Sequence, residues 1–369
     1  MHPCYPIWMD THDDINRLLG QIFMVGIPLP ILDEETRKFL QDLRPGGVIL
    51  FRRNYKDVET LALLCHELHG LDPANPPLIA IDHEGGRVHR LNAPFTHFPP
   101  ALQLTQNGSP NSIDLAYLVG QAMGRELRAV GIDINFAPVL DVFSNPDNTV
   151  IGDRAYSSDP YKAAALGCAL ARGLRLGGVI PCGKHFPGHG ATRIDSHQDL
   201  PTDERSRASF EQMDLLPFRQ ACAERIEMLM TAHVLYPAFD PDLPATLSPT
   251  IIDGLLRQQL GFTGVVVSDD LEMGAIVRRG SVEKAAVGSL AAGADMLLVC
   301  QRPALAIQAR NACLQALETG RIPEQRLAAA AQRIATLQTK KRLEQPASRE
   351  IIGAEEHQLL TAEIQRAVM

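Results

Sequence analysis

The chain has 369 residues, 45% of them hydrophobic and 21% charged, the proportions of an ordinary globular protein with a large core. A formal net charge of −8 with no basic block argues against a nucleic-acid partner, and no apolar run approaches the roughly 20 residues needed to span a bilayer. Seven cysteines scattered singly without CxxC spacing, and an N-terminus with no basic stretch leading into an apolar one, point to reduced thiols in a cytoplasm.

In chain order, eight short apolar runs alternate with helical patterns: QIFMVG, GGVILF, PLIAID, IDINFAPVLD, GVIPCGKHF, IEMLMTAHV, GVVVSDD and ADMLLVC. Most are nearly continuous rather than alternating, as expected of parallel strands buried on both faces. Between them, SIDLAYLVGQAMGRELRAVG predicts a helix capped by Ser112 and ended by Gly131. PYKAAALGCALARGLRLGG predicts another that ends in two glycines. SPTIIDGLLRQQLG predicts a third, with Ser248 as cap and Pro249 at the first helical position. Eight alternations without a GxGxxG after the first strand favour a single (β/α)8 TIM-type barrel, class α/β, over a doubly wound sheet. The barrel is expected over residues 1–340. Beyond Gln338 the chain turns polar, with KKRLEQPASRE as a break. A C-terminal helical tail is expected over 341–369, its last helix in AEEHQLLTAEIQRAV.

In such a barrel the chemistry sits at the C-terminal ends of the strands. PLIAID runs into Asp82, His83, Glu84 and Arg87. NFAPVLD ends at Asp141, with Asp153 and Arg154 shortly after. GVIPCG ends at Lys184 and His185, MLMTAH at His233, and GVVVSDD at Ser268, Asp269 and Asp270. Five strands converging on one rim predict a polar pocket. Each residue also has a plain scaffold reading. Asp82 can cap a helix, Glu84 and Arg87 can pair with each other, His233 can be a satisfied core histidine, and Asp270 can be a buried orienting group. His66 and His69, in HELH, read as a solvated helix face.

The stretch GKHFPGHGATRIDSHQDLP holds His185, His189, Asp195 and His197 among glycines and prolines, so it is a loop and not a helix. Two chemistries compete for it. His185, His189, Asp195, His197 and His233 could ligate a metal in a barrel hydrolase; a Gly/Pro loop, in place of one helix face or an HxH strand end, counts against that. Alternatively, an Asp two residues before a His can lie on the same side of an extended segment, and a His titrating near neutrality can donate and then accept a proton. His189 is given a loop-packing role.

KHFPGHG followed by DSH, together with IDHEGGRVHRL, NFAPVLDV, GDRAYSSDP, TAHVLYPA and GVVVSDDLEM, resembles the family 3 glycoside hydrolases over roughly residues 17–340. The similarity is closest to the β-N-acetylglucosaminidases of bacterial peptidoglycan recycling. The resemblance implies an exo-acting retaining enzyme with a covalent glycosyl-enzyme intermediate. It implies Asp269 as nucleophile, His197 as general acid/base held by Asp195, and Asp82, Arg154, Lys184 and His185 as sugar ligands. No metal or other cofactor is expected, and no second α/β sandwich domain. The expected partner is a small carbohydrate, a muropeptide in which N-acetylglucosamine is linked to anhydro-muramoyl peptide, with no nucleic acid or membrane and with the protein acting as a monomer in the cytoplasm. His83 stands where many relatives carry Gln. A phosphorylase, a family member of other specificity and a non-catalytic sugar-binding barrel are the remaining alternatives.

Overall fold

A computed structural model describes residues 12–106, 111–192, 199–342 and 347–366. All eight predicted apolar runs contain strands: Phe23–Gly26 (β1), Gly47–Leu50 (β2), Leu78–Ile81 (β3), Ile134–Asn135 (β4), Ile180–Phe186 (β5), Met228–Thr231 (β6), Val265–Asp270 (β9) and Met296–Val299 (β10). They pair in parallel in chain order, and β1 pairs with β10 to close the barrel. Both faces of β1, β2, β3, β6 and β10 are buried, which explains the unbroken apolar runs. Burying each Leu, Ile, Val or Phe of these strands stabilises the barrel by roughly 1.5–3 kcal/mol.

A two-stranded hairpin, Leu235–Tyr236 (β7) with Asp240–Pro244 (β8), follows β6 outside the barrel. It was not expected, because DPDLP carries three exposed residues and no apolar face to signal a strand. No helix among the described residues is long and apolar enough to cross a membrane.

The helix ends follow local chemistry with some shifts. The helix Ser112–Ala129 has Asn111 in the capping position, so Ser112 is its first helical residue and not its cap. Gly131 follows with φ 91°, as predicted for a terminating glycine. Asp159 caps Pro160–Leu176 by accepting from the N–H groups of Tyr161 and Lys162. Pro249, and not Ser248, takes the capping position of the next wound segment, although Ser248 Oγ accepts from Ile251 N–H at 3.1 Å. The wound segment, Thr250–Gln259, starts one residue later than expected and is a π-helix.

The polar break comes later than the composition suggests. The helix Glu324–Arg342 runs through Gln338 and Lys341, both buried; the Lys341 ammonium reaches the Gly178 carbonyl, which is why a lysine there does not mark solvent. His66 is exposed as read, but His69 is not simply solvated: its Nε2 lies 2.7 Å from the buried Asp133 carboxylate.

The helix Glu355–Arg366 packs on Ser112–Ala129 around one buried carboxylate. Glu126 accepts from Thr96 N–H (2.9 Å), Thr96 Oγ1 (2.6 Å), Gly353 N–H (3.1 Å) and lies 2.7 Å from His357 Nδ1. This ties the C-terminal helix to the long segment after β3. His357→Ala should leave part of that carboxylate's hydrogen bonding unmet and lower stability by about 1–3 kcal/mol. Denaturant unfolding of the full chain checks this; a change under half of that lower bound would show that the contact contributes little.

Candidate active site

At the C-terminal end of the barrel a cavity of about 580 Å³ opens among side chains from seven strands or the segments that follow them, including Asp82, Arg154, Lys184, His185 and Asp269. The structure thus brings together all five of the predicted sugar-binding and nucleophilic residues that fall within the described chain. Asp195 and His197 lie outside the described residues.

Asp82 and Glu84 follow β3, Lys184 and His185 occupy the end of β5, and Arg154 sits on the short 3-10 turn Gly152–Arg154. Lys184 is 2% exposed and its Nζ lies 2.7 Å from Asp82 Oδ1 and 2.6 Å from Glu84 Oε1. Arg154 grips Glu84 with two bonds, Nε to Oε2 and Nη2 to Oε1, both 2.8 Å, and donates through Nη1 to the Val150 carbonyl at 3.0 Å. Arg90 stands 3.8 Å from the second oxygen of Asp82. A lysine has three donors and an arginine five, so both cations keep hydrogens beyond these bonds for a guest in the cavity.

Burial alone would disfavour the Glu84 carboxylate. The charges and hydrogen bonds of Arg154 and Lys184 overcome that and hold it well below the usual carboxylate range. Burial likewise opposes the Lys184 ammonium, but Asp82 and Glu84 raise its affinity for the proton. The predicted pairing of Glu84 with Arg87 does not form. Glu84 takes Arg154 and Lys184, while Arg87 turns outward to Asp153 (3.0 Å) and the carbonyls of Thr149 and Val150. The partner choice was not legible in sequence, because 70 residues separate Glu84 from Arg154. Asp82 lines the cavity and pairs with Lys184.

His185 is oriented by Asp141, which is fully buried where the β4 segment ends. The imidazole Nδ1 lies 2.7 Å from Asp141 Oδ2, and Asp141 also accepts from the N–H of His185 (3.2 Å) and of His189 (2.7 Å). With Nδ1 so occupied, Nε2 is the ring atom left for the cavity. Burial works against the Asp141 anion, but His185 and His189 outweigh it and lower its proton affinity. Sequence reading marked Asp141 only as a strand end; two histidines four residues apart, whose backbone must converge on it, were the available signal.

His189 is packed as expected, with Nδ1 2.7 Å from Thr192 Oγ1, yet it also lines the cavity. Burial, aided by the nearby His185, pushes its proton affinity down to about 4. The glycines of this loop are required. Gly188 has φ 135°, and a Cβ on Gly190 would lie 1.8 Å from the Val142 carbonyl oxygen. Tyr236, on β7, adds a hydroxyl bond of 2.8 Å to the Gly188 carbonyl.

Asp269 is the penultimate residue of β9, its Oδ1 accepting from the Asp270 N–H at 2.8 Å. Asp270 is held by the N–H groups of Glu272 (3.1 Å) and Cys300 (3.3 Å). His233 is a satisfied core histidine, fully buried, with contacts from both ring nitrogens. Among the described residues no three His, Cys, Asp or Glu side chains converge as a metal-binding set.

Residues 15–337 match the family described as the glycosyl hydrolase family 3 N-terminal domain. A β-hexosaminidase of Thiobacillus denitrificans is 45% identical over 291 residues, 78% of this chain and 80% of that protein. A family 3 β-N-acetylglucosaminidase from a Paenibacillus species superposes with TM-score 0.90 at 39% identity, over 96% of this chain and 68% of that one. NagZ from Neisseria gonorrhoeae, solved with N-trifluoroacetyl-D-glucosamine, gives TM-score 0.79 at 36% identity, over 94% of this chain and 98% of that one.

Glu84→Gln tests the charge network directly. The amide keeps the shape but leaves two buried cations sharing one carboxylate, which should cost about 3–5 kcal/mol of stability. Because the folded Glu84 carboxyl titrates below its unfolded value, its contribution is present above the unfolded carboxylate range and is lost as pH falls through the folded one. Denaturant unfolding of both proteins should therefore show the largest gap near neutral pH and a shrinking gap in acid. An equal gap at all pH values would mean that the carboxylate charge is not what matters.

Proposed function

The chain belongs to glycosyl hydrolase family 3 and is a β-hexosaminidase, and on that premise we propose that it removes terminal β-linked N-acetylglucosamine from peptidoglycan fragments, with retention of configuration, through a covalent glycosyl-enzyme intermediate. The observation that carries this reading is the placement of one carboxylate, Asp269, in the same cavity as the Asp82–Lys184–Glu84–Arg154 network and His185. A terminal sugar is rich in hydroxyls, and this rim offers them fixed donors and acceptors. The curated relatives named β-hexosaminidase and the glucosamine-derivative complex of the gonococcal protein support the sugar class. Six free cysteines among the described residues suit a cytoplasmic location, and the peptidoglycan-recycling role and monomeric state follow the same reading.

In this mechanism Asp269 attacks the anomeric carbon as the glycosidic bond breaks. Asp82, Lys184, Arg154 and His185 hold the ring so that the carbon stays in line, a positional effect that supplies much of the rate. We assign the proton transfers to His197, with Asp195 orienting its ring. The imidazole protonates the leaving oxygen in the first step and takes the proton from water in the second.

Asp269→Asn should lose several orders of magnitude in turnover with the fold intact. Proton NMR of the wild-type reaction should show the β-anomer of N-acetylglucosamine forming first; an initial α-anomer would sink the covalent route, and near-normal activity of the Asn variant would displace Asp269 as nucleophile.

His197→Ala should separate by leaving group. General acid help is about 10²–10⁴-fold for a poor leaving group, so a natural disaccharide should suffer far more than a dinitrophenyl glycoside in the first step. With the activated substrate, hydrolysis of the intermediate should become limiting, and azide, which needs no general base, should restore turnover. Equal losses on both substrates with no azide effect would make His197 a binding residue.

A further inference from the structure

Asp269 is held on its protein side by Asp270, and Asp270 is held in turn by His233. The Asp270 N–H donates to Asp269 Oδ1 at 2.8 Å. The Asp270 carbonyl accepts from the Met273 N–H at 3.0 Å and lies 3.0 Å from His233 Nε2. A carbonyl oxygen can only accept, so His233 Nε2 carries a proton whatever the charge of the ring. The other nitrogen, Nδ1, lies 2.8 Å from Thr246 Oγ1, which sits 2.9 Å from Thr231 Oγ1. His233, Thr231 and Thr246 are all fully buried. The imidazole is thus clamped at both ends, between a threonine pair and the backbone of the residue after the candidate nucleophile.

We propose that His233 is a positioning residue for the Asp269 carboxylate: by donating through Nε2 to the Asp270 carbonyl, it steadies the Asp270 backbone, whose N–H, on the other side of the same Cα, donates to Asp269 Oδ1 and keeps it in line with the anomeric carbon. The inference rests on the reading of Asp269 as nucleophile. Asp270 is anchored from several directions, since its Oδ1 takes the N–H groups of Glu272 and Cys300 and the next residue, Leu271, donates to the Leu298 carbonyl at 3.0 Å. His233 is the side chain that ties it across to β6. The charged groups around Asp270 are Glu272, Asp269 and Arg53. Burial first, with the charges of Glu272 and Asp269 added, pushes the Asp270 carboxyl up to about 7. Below that pH it is mostly neutral and does not oppose the Asp269 charge. The N–H of Asp270 is thus one contact that orients Asp269, and His233 steadies the backbone that carries it.

The two amide side chains dissect the contact. Glutamine places an N–H near the position of imidazole Nε2, whereas asparagine reaches only to that of Nδ1. Steady-state kinetics across pH on an aryl N-acetylglucosaminide should show His233→Asn losing about tenfold to a hundredfold in kcat, the scale of a misplaced reacting group, with KM little changed. The acid limb of its kcat/KM profile should rise by about half a unit to one unit, because a carboxylate that loses a donor binds its proton more tightly. His233→Gln should recover most of the kcat and the original acid limb. Thr246→Val, which leaves the ring in place but frees its far end, should show the same signature at smaller amplitude and guards against misfolding of the His233 variants. A merely structural role predicts otherwise: Asn and Gln alike in kcat, or a loss confined to KM or to thermal stability with the acid limb unmoved, and either result overturns the proposal. So does an unchanged kcat and acid limb in folded Thr246→Val. If Asp269→Asn retains activity, the nucleophile assignment itself has failed; if that variant is inactive while the His233 series shows no such pattern, only the present inference has.

Discussion

The shared Glu84 carboxylate is the interaction on which the site depends. On a surface, an ion pair between such groups stabilises little. Here Lys184 is almost fully buried, and Glu84 and Arg154 nearly so. Each of these charges alone would carry a desolvation cost of several kcal/mol, so each requires the others. Glu84 binds Arg154 through two nitrogens and Lys184 through one, and Lys184 passes the constraint on to Asp82. No member can rotate away without stranding a partner. The rim of the cavity therefore exists as a fixed set of dipoles and charges before any sugar arrives, which is the condition for electrostatic help in a reaction.

The barrel makes this network possible. Strands β3 and β5 are not neighbours but flank β4, so their C-terminal ends lie about two interstrand spacings, roughly 10 Å, apart. A lysine side chain from one and a carboxylate on the segment after the other can close that gap. The apolar strand interiors below supply the stability that a rim of buried charge does not.

Asp141 repeats the logic on the other side of Lys184. One buried carboxylate collects the His185 ring and the N–H groups of His185 and His189. It thereby sets both the direction of His185 and the start of the glycine-rich loop, which Tyr236 and the close approach of Gly190 to Val142 hold further along. His189, whose proton affinity burial lowers to about 4, stays neutral near pH 7 and serves that loop as packing beside the cavity. Behind Asp269 the buried His233 and Thr246 hold backbone in place of a partner charge, His233 against the Asp270 carbonyl and Thr246 against that of Ala232.

Sequence alone determined the barrel, its eight strands and the polar rim at their C-terminal ends, from which the family resemblance singled out the five described residues that meet in the cavity. These were legible because each depends on local pattern: strands buried on both faces must be apolar throughout, and chemistry at a strand's C-terminal end must appear as polar residues directly after an apolar run. The β7–β8 hairpin escaped because its strands are exposed or proline-bounded and carry no periodicity. The helix through Gln338 and Lys341 escaped because long polar side chains can be buried when a distant carbonyl receives them. Only the tertiary structure decided who pairs with whom. Glu84 prefers Arg154 and Lys184 to Arg87, three residues away, because the closed barrel sets those two cations in a dry site where an unpaired charge is costly, while Arg87 reaches water and the carbonyls of Thr149 and Val150. Pairing of buried charge is a property of the assembled interior, and no spacing along the chain encodes it.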